Sequence, residues 1–186
     1  PSGPAAPNLS RAIWGFDLNR ANCCGGEDLE TRISLKYLRY LAAQAIQSWV
    51  KRGKSAEFRA RPAITVIIRH ATMSATVLCL GPRNGVELDL WNEYGFHDVE
   101  GLDLLPSRDQ RIRFGDFHRL PYETSSVDIV YASHSLEHAY DDALALKEVC
   151  RVLKPGGLLY AAWPRGFVPN AHDRVDYGSA AAFVAR

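Results

Sequence analysis

The sequence lacks the features that would place it in a membrane, in a secreted disulfide-rich class or among strongly charged proteins. No apolar run approaches the length of a membrane span, and residues 1–16 have no charged region followed by an apolar stretch, as a signal peptide would. The four cysteines at 23, 24, 79 and 150 form no CxxC pair. This cysteine usage predicts a reduced, cytoplasmic protein rather than a disulfide frame or a zinc site. A formal net charge of +1 gives no global reason to expect a nucleic-acid or membrane partner.

What is present indicates a globular protein. The 186 residues are 47% hydrophobic and 23% charged, which is ordinary for one domain with a real core. We divide the chain into an extension, residues 1–74, and a core, residues 75–186. Within the extension, residues 1–11 are expected to be a poorly ordered tail.

Two elements are predicted in the extension. Apolar residues recur at helical spacing from Ile33 to Val50, which predicts an amphipathic helix that ends near Arg52-Gly53-Lys54. This helix is expected to cover the functional site or a partner subunit, and the sequence leaves the oligomeric state open. Residues 63–68, AITVII, are rich in β-branched side chains and predict an additional strand.

From residue 75 the pattern alternates between strands and helices. Strands are predicted at about 76–80, 98–103, 111–115, 127–132 and 157–162, and helices at about 85–95 and 141–153. The fold class is therefore α/β, a Rossmann-like, doubly wound and mainly parallel sheet with helices on both faces. Only about seven residues join the second strand to the third, so the usual crossover helix there must be missing or reduced to a loop.

The first strand ends in a glycine loop, which consists of Leu80, Gly81, Pro82, Arg83, Asn84 and Gly85. Glycines let the backbone approach a ligand, and the start of the following helix offers free N–H groups. A tight strand–helix turn without a ligand is the alternative interpretation. The pattern GxGxxG is absent, which argues against a nicotinamide site.

Two carboxylates follow at the ends of the next strands, where open parallel sheets bind ligands. Asp103, followed by Leu104, is placed to accept hydrogen bonds from the hydroxyls of a ribose. Asp116, in the segment Gly115-Asp116-Phe117, is placed to accept one from an adenine amine, with Phe117 against the ring. Turn capping is the alternative role for both carboxylates. Together they suggest a nucleoside-bearing cofactor.

The fourth strand is followed by Ser133 and then by the segment His134–His138. We take His134 and His138 as the candidate catalytic residues, because an imidazole there can remove a proton from an acceptor. The same residues spell HxxEH, an inverted zinc-protease signature, but that motif belongs on a helix and here it follows a strand. A zinc hydrolase is therefore the weakest hypothesis, and we expect no metal. Capping of the next segment is a further alternative.

Residues 76–164 resemble the class I S-adenosylmethionine-dependent methyltransferases, in their small-molecule branch. The matching motifs, in order, are GDFHRLPY (115–122), VDIVYASHSLEH (127–138) and RVLKPGGLLYAAWP (151–164). The resemblance implies S-adenosylmethionine as the cofactor, methyl transfer to a small-molecule acceptor as the activity, and no obligatory catalytic residue. It assigns the glycine loop to the methionine end, Asp103 to the ribose, Asp116 and Phe117 to the adenine, and residues 133–135 to the neighbourhood of the sulfonium.

Three departures from the family pattern set a second hypothesis. Cys79 stands where the family has an acidic residue, and Arg83 replaces a central glycine. Glu87 is expected to be an exposed acid in the first turn of its helix rather than a substitute for the missing carboxylate. The C-terminal antiparallel strand pair of the family is expected to be missing, and GSAAAFVAR (178–186) is expected to be the start of the helix that precedes it. The alternative to an enzyme is thus a non-catalytic binding or interaction protein with the same fold.

Overall fold

A computed structural model of the chain describes residues 9–15, 35–51 and 55–185. The predicted helix end at 52–54 lies outside these residues. The tail prediction is wrong for residues 9–11, which belong to a strand.

Six strands form one sheet in the order β1-β6-β5-β2-β3-β4. All neighbouring pairs are parallel except β1 and β6, which are antiparallel. The strands are β1 (Leu9–Gly15), β2 (Val77–Leu80), β3 (Val99–Asp103), β4 (Ile112–Phe114), β5 (Val127–Ser133) and β6 (Leu153–Pro164). This confirms the predicted α/β class and its mainly parallel sheet.

Five α-helices and one short 3₁₀ turn accompany the sheet in the described residues. They are α1 (Leu35–Lys51), α2 (Glu57–Ile67), α3 (Val86–Glu93), the 3₁₀ turn Leu136–His138, α4 (Asp142–Val152) and α5 (Ala180–Val184). The predicted acidic N-cap of α4 is confirmed, since Asp141 accepts a hydrogen bond from the backbone N–H of Leu144.

Successive side chains of the strands enter two separate cores, as the period of two requires. In β2, Leu78 and Leu80 belong to the core that α4 and α5 cover, whereas Val77 and Cys79 belong to the core under α2 and α3. All four residues are buried, which is typical of a central parallel strand covered on both faces.

The strand predicted at 63–68 is wrong, because these residues lie in α2 and in the turn after it. The buried residues of this helix are Ala60, Ala63, Ile64 and Ile67, whose spacing of three and four places them on one helical face. Packing of that face against α3 outweighs the β preference of the side chains.

The short connection between β3 and β4 contains no helix, as predicted. The eight residues 104–111 are long enough to return along one short strand, because an extended chain spans about 3.3 Å per residue. Arg111 fixes the end of the connection through ion pairs to Asp109 (2.6 Å) and to Asp89 of α3 (2.7 Å).

The outer edge of β6 is paired with β1. Leu9 lies opposite Pro164 and Gly15 opposite Leu158, so an N-terminal strand occupies the edge at which the family was expected to place its C-terminal strand pair. Pairing of β6 with β1 satisfies backbone groups that an open edge would expose.

Candidate active site

A cleft opens at the carboxyl ends of β2, β3 and β5, and α1 lies across it. The cleft is open to solvent, and its cavity volume is about 40 Å³. The residues predicted from sequence that line it are Gly81, Arg83, Asp103, Leu104, Gly115, Phe117, His134 and His138. Leu80, Pro82, Asn84, Gly85, Asp116 and Ser133 were predicted with them and are not among the lining residues.

Gly81 is required for the close passage of two loops. Its φ is +68°, and a Cβ there would lie 2.9 Å from the Cβ of Ser135. Gly85 has an ordinary φ of −72°, but a Cβ there would overlap the Asp109 carboxylate. Gly85 therefore allows the loop to pack, whereas Gly81 brings the β2 loop and the β5 loop together at the floor of the cleft.

Leu80 and Asn84 of the glycine loop make contacts that stabilise the fold. Leu80 is buried in the core, and Asn84 accepts a hydrogen bond from the backbone N–H of Val86 at 3.3 Å. That contact stabilises the start of α3. Arg83 has a φ of +55°, a conformation uncommon for a side chain other than glycine, and it lines the cleft.

Asp103 is the carboxylate at the end of β3, and only 6% of the residue is exposed. Its Oδ2 accepts from the backbone N–H of Arg83 at 3.1 Å, and its Oδ1 from that of Leu105 at 2.9 Å. Burial raises the pKa of Asp103, while these two backbone donors and the Arg83 guanidinium oppose the rise. A carboxylate has about four acceptor positions, more than the backbone N–H groups of Arg83, Leu104 and Leu105 occupy, and Asp103 lines the cleft.

Glu87 is buried, which corrects the expectation of an exposed acid. It is 4% exposed, and burial raises its pKa to about 8 although Arg59 and Arg83 lower it. The neighbouring Cys79 is wholly buried, and burial and the charge of Glu87 raise the pKa of its thiol. The site therefore has a buried acid in the first turn of α3, whereas residue 79 is a cysteine.

Asp116 lies beside the cleft and its carboxylate is already engaged. Oδ2 accepts from the Tyr37 hydroxyl of α1, and Oδ1 accepts from the backbone N–H of His118 at 2.9 Å and lies beside the His118 ring Nδ1. The His118 Nε2 accepts from the backbone N–H groups of Tyr140 and Asp141. These contacts place the Asp116 side chain in a link between α1 and the sheet, and its role toward an adenine stays a prediction.

His134 and His138 both line the cleft, each with its own carboxylate. His134 Nδ1 is 3.4 Å from Glu137 Oε1, and His138 Nδ1 is 3.1 Å from Asp173 Oδ1. Hydrogen bonding to Asp173 raises the pKa of His138 against the effect of burial. His134 follows β5 with a φ of +56°, and His138 is in the 3₁₀ turn, so the HxxEH residues do not share a helix. The described residues hold no cluster of three or more His, Cys, Asp or Glu side chains arranged for a metal.

Two buried oxygens near the floor of the cleft have no hydrogen-bond partner among the described residues. They are the Ser135 hydroxyl and Glu137 Oε2, and both residues are at most 3% exposed. Ser135 lines the cleft. Since buried polar atoms are normally paired, the Ser135 hydroxyl is available to a polar group of a ligand.

The sequence predicts that α1 covers the site or a partner subunit, but it does not identify the residues with which α1 lines the cleft. Tyr40, Gln44, Gln47 and Ser48 line the cleft from this helix. Gln44 is 4% exposed and donates to the backbone carbonyl of His172 at 2.9 Å. The recurrence of polar residues at spacings of three and four on a helix that otherwise looks amphipathic was the available signal.

Comparison with known proteins identifies the part of the chain that carries this cleft. Residues 78–161 match a family model described as a methyltransferase domain. Residues 78–161 belong to that family. The domain has the class I fold, and S-adenosylmethionine is the cofactor that the family implies.

Individual relatives cover only parts of the chain. Malonyl-[acyl-carrier protein] O-methyltransferase 1 of Coxiella burnetii is 33% identical over 88 residues, which are 45% of this chain and 31% of that protein. The chain spans about a third or less of the length of the curated relatives it matches.

Two solved structures show the same fold. A candidate sarcosine dimethylglycine methyltransferase from Galdieria sulphuraria has a TM-score of 0.51 at 20% identity, and the match covers 56% of this chain and 46% of that one. A methyltransferase of Haloferax volcanii, solved with the Trm112 methyltransferase activator, has a TM-score of 0.50 at 28% identity, with 66% and 58% covered.

The cleft of the methyltransferase domain fits S-adenosylmethionine in its donor set. Asp103 offers buried acceptors at the strand end, and Ser135 offers a hydroxyl without a partner in the described residues. Arg83 brings a cation and Phe117 an aromatic ring to the same cleft.

Proposed function

We propose that the protein is an S-adenosylmethionine-dependent methyltransferase that acts on a small-molecule acceptor. The observation that carries the proposal is the buried Asp103 carboxylate, which faces the same cleft as the glycine loop and retains acceptor positions. Two vicinal hydroxyls are the ligand groups that such a carboxylate binds.

The cofactor supplies a methyl group already activated by the positive sulfur. The chain has to orient that group and the acceptor in line, so positioning provides most of the rate enhancement. Asp103 holds the ribose and Arg83 the amino-acid carboxylate. Gly115 and Phe117 line the nucleoside end of the cleft.

His138 is placed to remove a proton from the acceptor. Its Nδ1 faces both the Asp173 carboxylate at 3.1 Å and the backbone carbonyl of His172 at 3.0 Å. A ring whose Nδ1 donates to those oxygens has Nε2 free to act as a base. We therefore assign the general-base role to His138 before His134, and the acceptor to molecules with an O–H or N–H group.

A non-catalytic relative of the methyltransferases is the second candidate. The observation that favours it is the Arg83 side chain, which occupies the cleft wall at the position of a family glycine. Burial lowers the pKa of Arg83 while Asp103 and Glu87 oppose this. A protein that binds the cofactor but transfers no methyl group would fit this candidate.

The cellular setting is also a proposal. Among the described residues, Cys79 and Cys150 form no disulfide, and no helix there is long and apolar enough to cross a membrane. Cysteines without disulfides are typical of a reducing compartment, and we propose the cytoplasm.

Isothermal titration calorimetry with S-adenosylmethionine, S-adenosylhomocysteine and NAD tests the proposal. We expect the first two to bind and NAD to give no heat. Ligand at a hundredfold excess over its Kd should also add about 2.7 kcal/mol to the free energy of unfolding. The absence of binding at millimolar ligand would refute the cofactor assignment.

Variants of Asp103 sharpen the test. Asp103→Ala should weaken cofactor binding at least about tenfold, because charge-assisted hydrogen bonds contribute about 1.5–3 kcal/mol each, and Asp103→Asn should lie between it and the wild type. Glu123→Ala, which removes an exposed carboxylate outside the cleft, is the control. If the Asp103→Ala variant binds the cofactor as tightly as the wild type, Asp103 is a turn cap and does not bind the ribose.

A further inference from the structure

Helix α1 faces the rest of the protein with its polar side. The contacts that fix it are the Tyr37 hydroxyl on Asp116, the Tyr40 ring edge-on to His118 with centroids 5.8 Å apart, and the Gln44 amide on the carbonyl of His172. Tyr40 and Gln44 are its buried residues. Because these contacts involve one side of the helix, its opposite side is turned toward solvent.

That opposite side carries the apolar residues of the helix. We call it the outer stripe, and it consists of Leu35, Leu38, Ala42, Ile46 and Val50. The exposed fractions are 75% for Leu35, 47% for Leu38, 63% for Ile46 and 66% for Val50. A helix normally buries such a stripe, so a continuous exposed one marks an interaction surface.

The charge beside the outer stripe has one sign. From Thr31 to Ala56 the sequence has six basic residues and no acidic one. In the described part of this stretch, Lys36 and Arg39 are exposed. A basic helix with leucine, isoleucine and valine on its exposed apolar face is the pattern of helices that lie in the headgroup region of a bilayer.

We propose that the outer stripe of α1 docks the protein on an anionic lipid surface. At 17 residues α1 lies on the bilayer and does not cross it. The near-zero net charge of the whole chain does not oppose this, because a surface potential acts on the charges within a Debye length, about 8–10 Å.

A second copy of the chain fits the surface less well. Packing two outer stripes together would bring basic residues against basic residues, since α1 has no acid to pair with them. A stable protein interface also takes about 20–30 residues from each side, many more than one helical stripe provides. A lipid surface requires neither acidic residues to pair with the basic ones nor an interface of that size.

Docking in this way would place the cleft near the bilayer. Gln44, Gln47 and Ser48 line the cleft from the side of α1 that faces away from the outer stripe. A helix with its side chains is about 10–12 Å thick, which sets the distance between the cleft wall and the headgroups.

Co-sedimentation of the purified chain with vesicles tests the proposal without any enzymatic readout. We expect binding to vesicles of phosphatidylcholine with phosphatidylglycerol, and at least tenfold weaker binding to phosphatidylcholine alone. Replacing Lys36 and Arg39 with Gln should weaken binding about fivefold for each basic residue removed. No sedimentation with the anionic vesicles at low salt would overturn the proposal.

Two substitutions in the outer stripe locate the binding surface. Ile46→Glu and, as a milder change, Leu38→Gln should abolish or strongly reduce vesicle binding, with the far-UV circular dichroism unchanged because both side chains are exposed. Val168→Glu is the matched control, since Val168 is 85% exposed and lies outside α1. Binding retained by both stripe variants would overturn the assignment.

Sedimentation velocity tests whether a second copy of the chain, rather than a lipid surface, covers the outer stripe. A wild-type dimer that Ile46→Glu converts to a monomer, together with no vesicle binding, would assign the outer stripe to a second copy and overturn the proposal. A monomeric wild type that binds anionic vesicles supports it.

Discussion

The two helices that precede the first strand of the methyltransferase domain orient their apolar residues in opposite directions. In α2, Ala60, Ala63, Ile64 and Ile67 are at most 2% exposed and pack in the core shared with α3. In α1, by contrast, Ile46 is 63% exposed and the buried residues are Tyr40 and Gln44. One helix completes the core, and the other closes the cleft with polar groups.

The sequence features that make a helix form do not determine which way the helix faces. An apolar stripe predicts that a helix forms and that the stripe will be covered. It does not say which surface covers it, because the cost of exposing apolar area is recovered by contact with any apolar partner. Contacts on the polar side, such as the hydrogen bond from the Tyr37 hydroxyl to the Asp116 carboxylate, decide the orientation of α1.

The largest expected effect contrasts one isoleucine from each helix. Ile64→Ala in α2 should lower the free energy of unfolding by about 2–5 kcal/mol, since it leaves a cavity in the core. Ile46→Ala in α1 should change it by no more than about 0.5 kcal/mol, because the side chain is exposed. Urea unfolding of both variants measures the difference. Equal losses would show that α1 buries its stripe in the free protein.

The second prediction concerns Glu87, the acid of α3 that is buried near Arg59 of α2. The pKa of Glu87 rises from 4.5 to about 8 on folding, so the folded state binds a proton more tightly and stability falls as pH rises between these values. Glu87→Gln should remove this slope and be more stable than the wild type above pH 8, by a few kcal/mol. Urea unfolding from pH 5 to 9 measures it.

The control for this change is an acid of the same helix. Asp89 is exposed and paired with Arg111, so Asp89→Asn should leave the pH slope in place. An identical slope in Glu87→Gln and the wild type would mean that Glu87 is ionised in the folded state at neutral pH.

The third prediction tests the anchor of α1. Tyr37→Phe removes the hydroxyl that donates to Asp116 and should cost about 1–2 kcal/mol of local stability. Amide hydrogen exchange of residues 35–51 should accelerate about fivefold or more as the helix opens more often. Tyr94→Phe removes the contact to Thr65 of α2 and is the matched control, with α1 exchange unchanged.

The smallest expected effect lies where α1 meets the loop at residue 172. Asp173→Asn should lower the pKa of His138, because hydrogen bonding to Asp173 raises it. The effect is limited by the exposure of the Asp173 side chain, 35%. The raised pKa of His138 stabilises the fold at low pH, and this stabilisation is lost as pH rises through the folded-state pKa.

NMR titration of the His138 ring measures that shift. Asp176→Asn, which changes a carboxylate that accepts only backbone N–H groups among its described contacts, should leave the His138 titration unchanged. A His138 pKa unaffected by Asp173→Asn would remove Asp173 from the positioning role.

Much of the domain could be predicted because its signals are local. Buried strands that end in Gly81 and Asp103, and the stop of α4 before Pro155, follow from apolar runs and turn chemistry. The strand-end carboxylate and the glycine loop converge because parallel strands present their carboxyl ends at one edge. The functional roles of these residues remain predictions.

The errors occur where long-range packing overrides a local preference. Residues 63–68 have strand-forming side chains, yet their contacts with α3 make them helical. Glu87 has the sequence context of an exposed acid and lies buried near Arg59 and Arg83. Asp116 lies two residues after the end of β4, and Tyr37, 79 residues earlier in the chain, donates a hydrogen bond to its carboxylate.

The sequence by itself determined the α/β class, the position of the strand ends and the missing crossover helix, since each depends on residues close together in the chain. Only the tertiary structure decided the exposure of the outer stripe, the burial of Glu87 and the pairing of His138 with Asp173. These features join residues that are distant in sequence, and their energies depend on the burial and dielectric surroundings that packing creates.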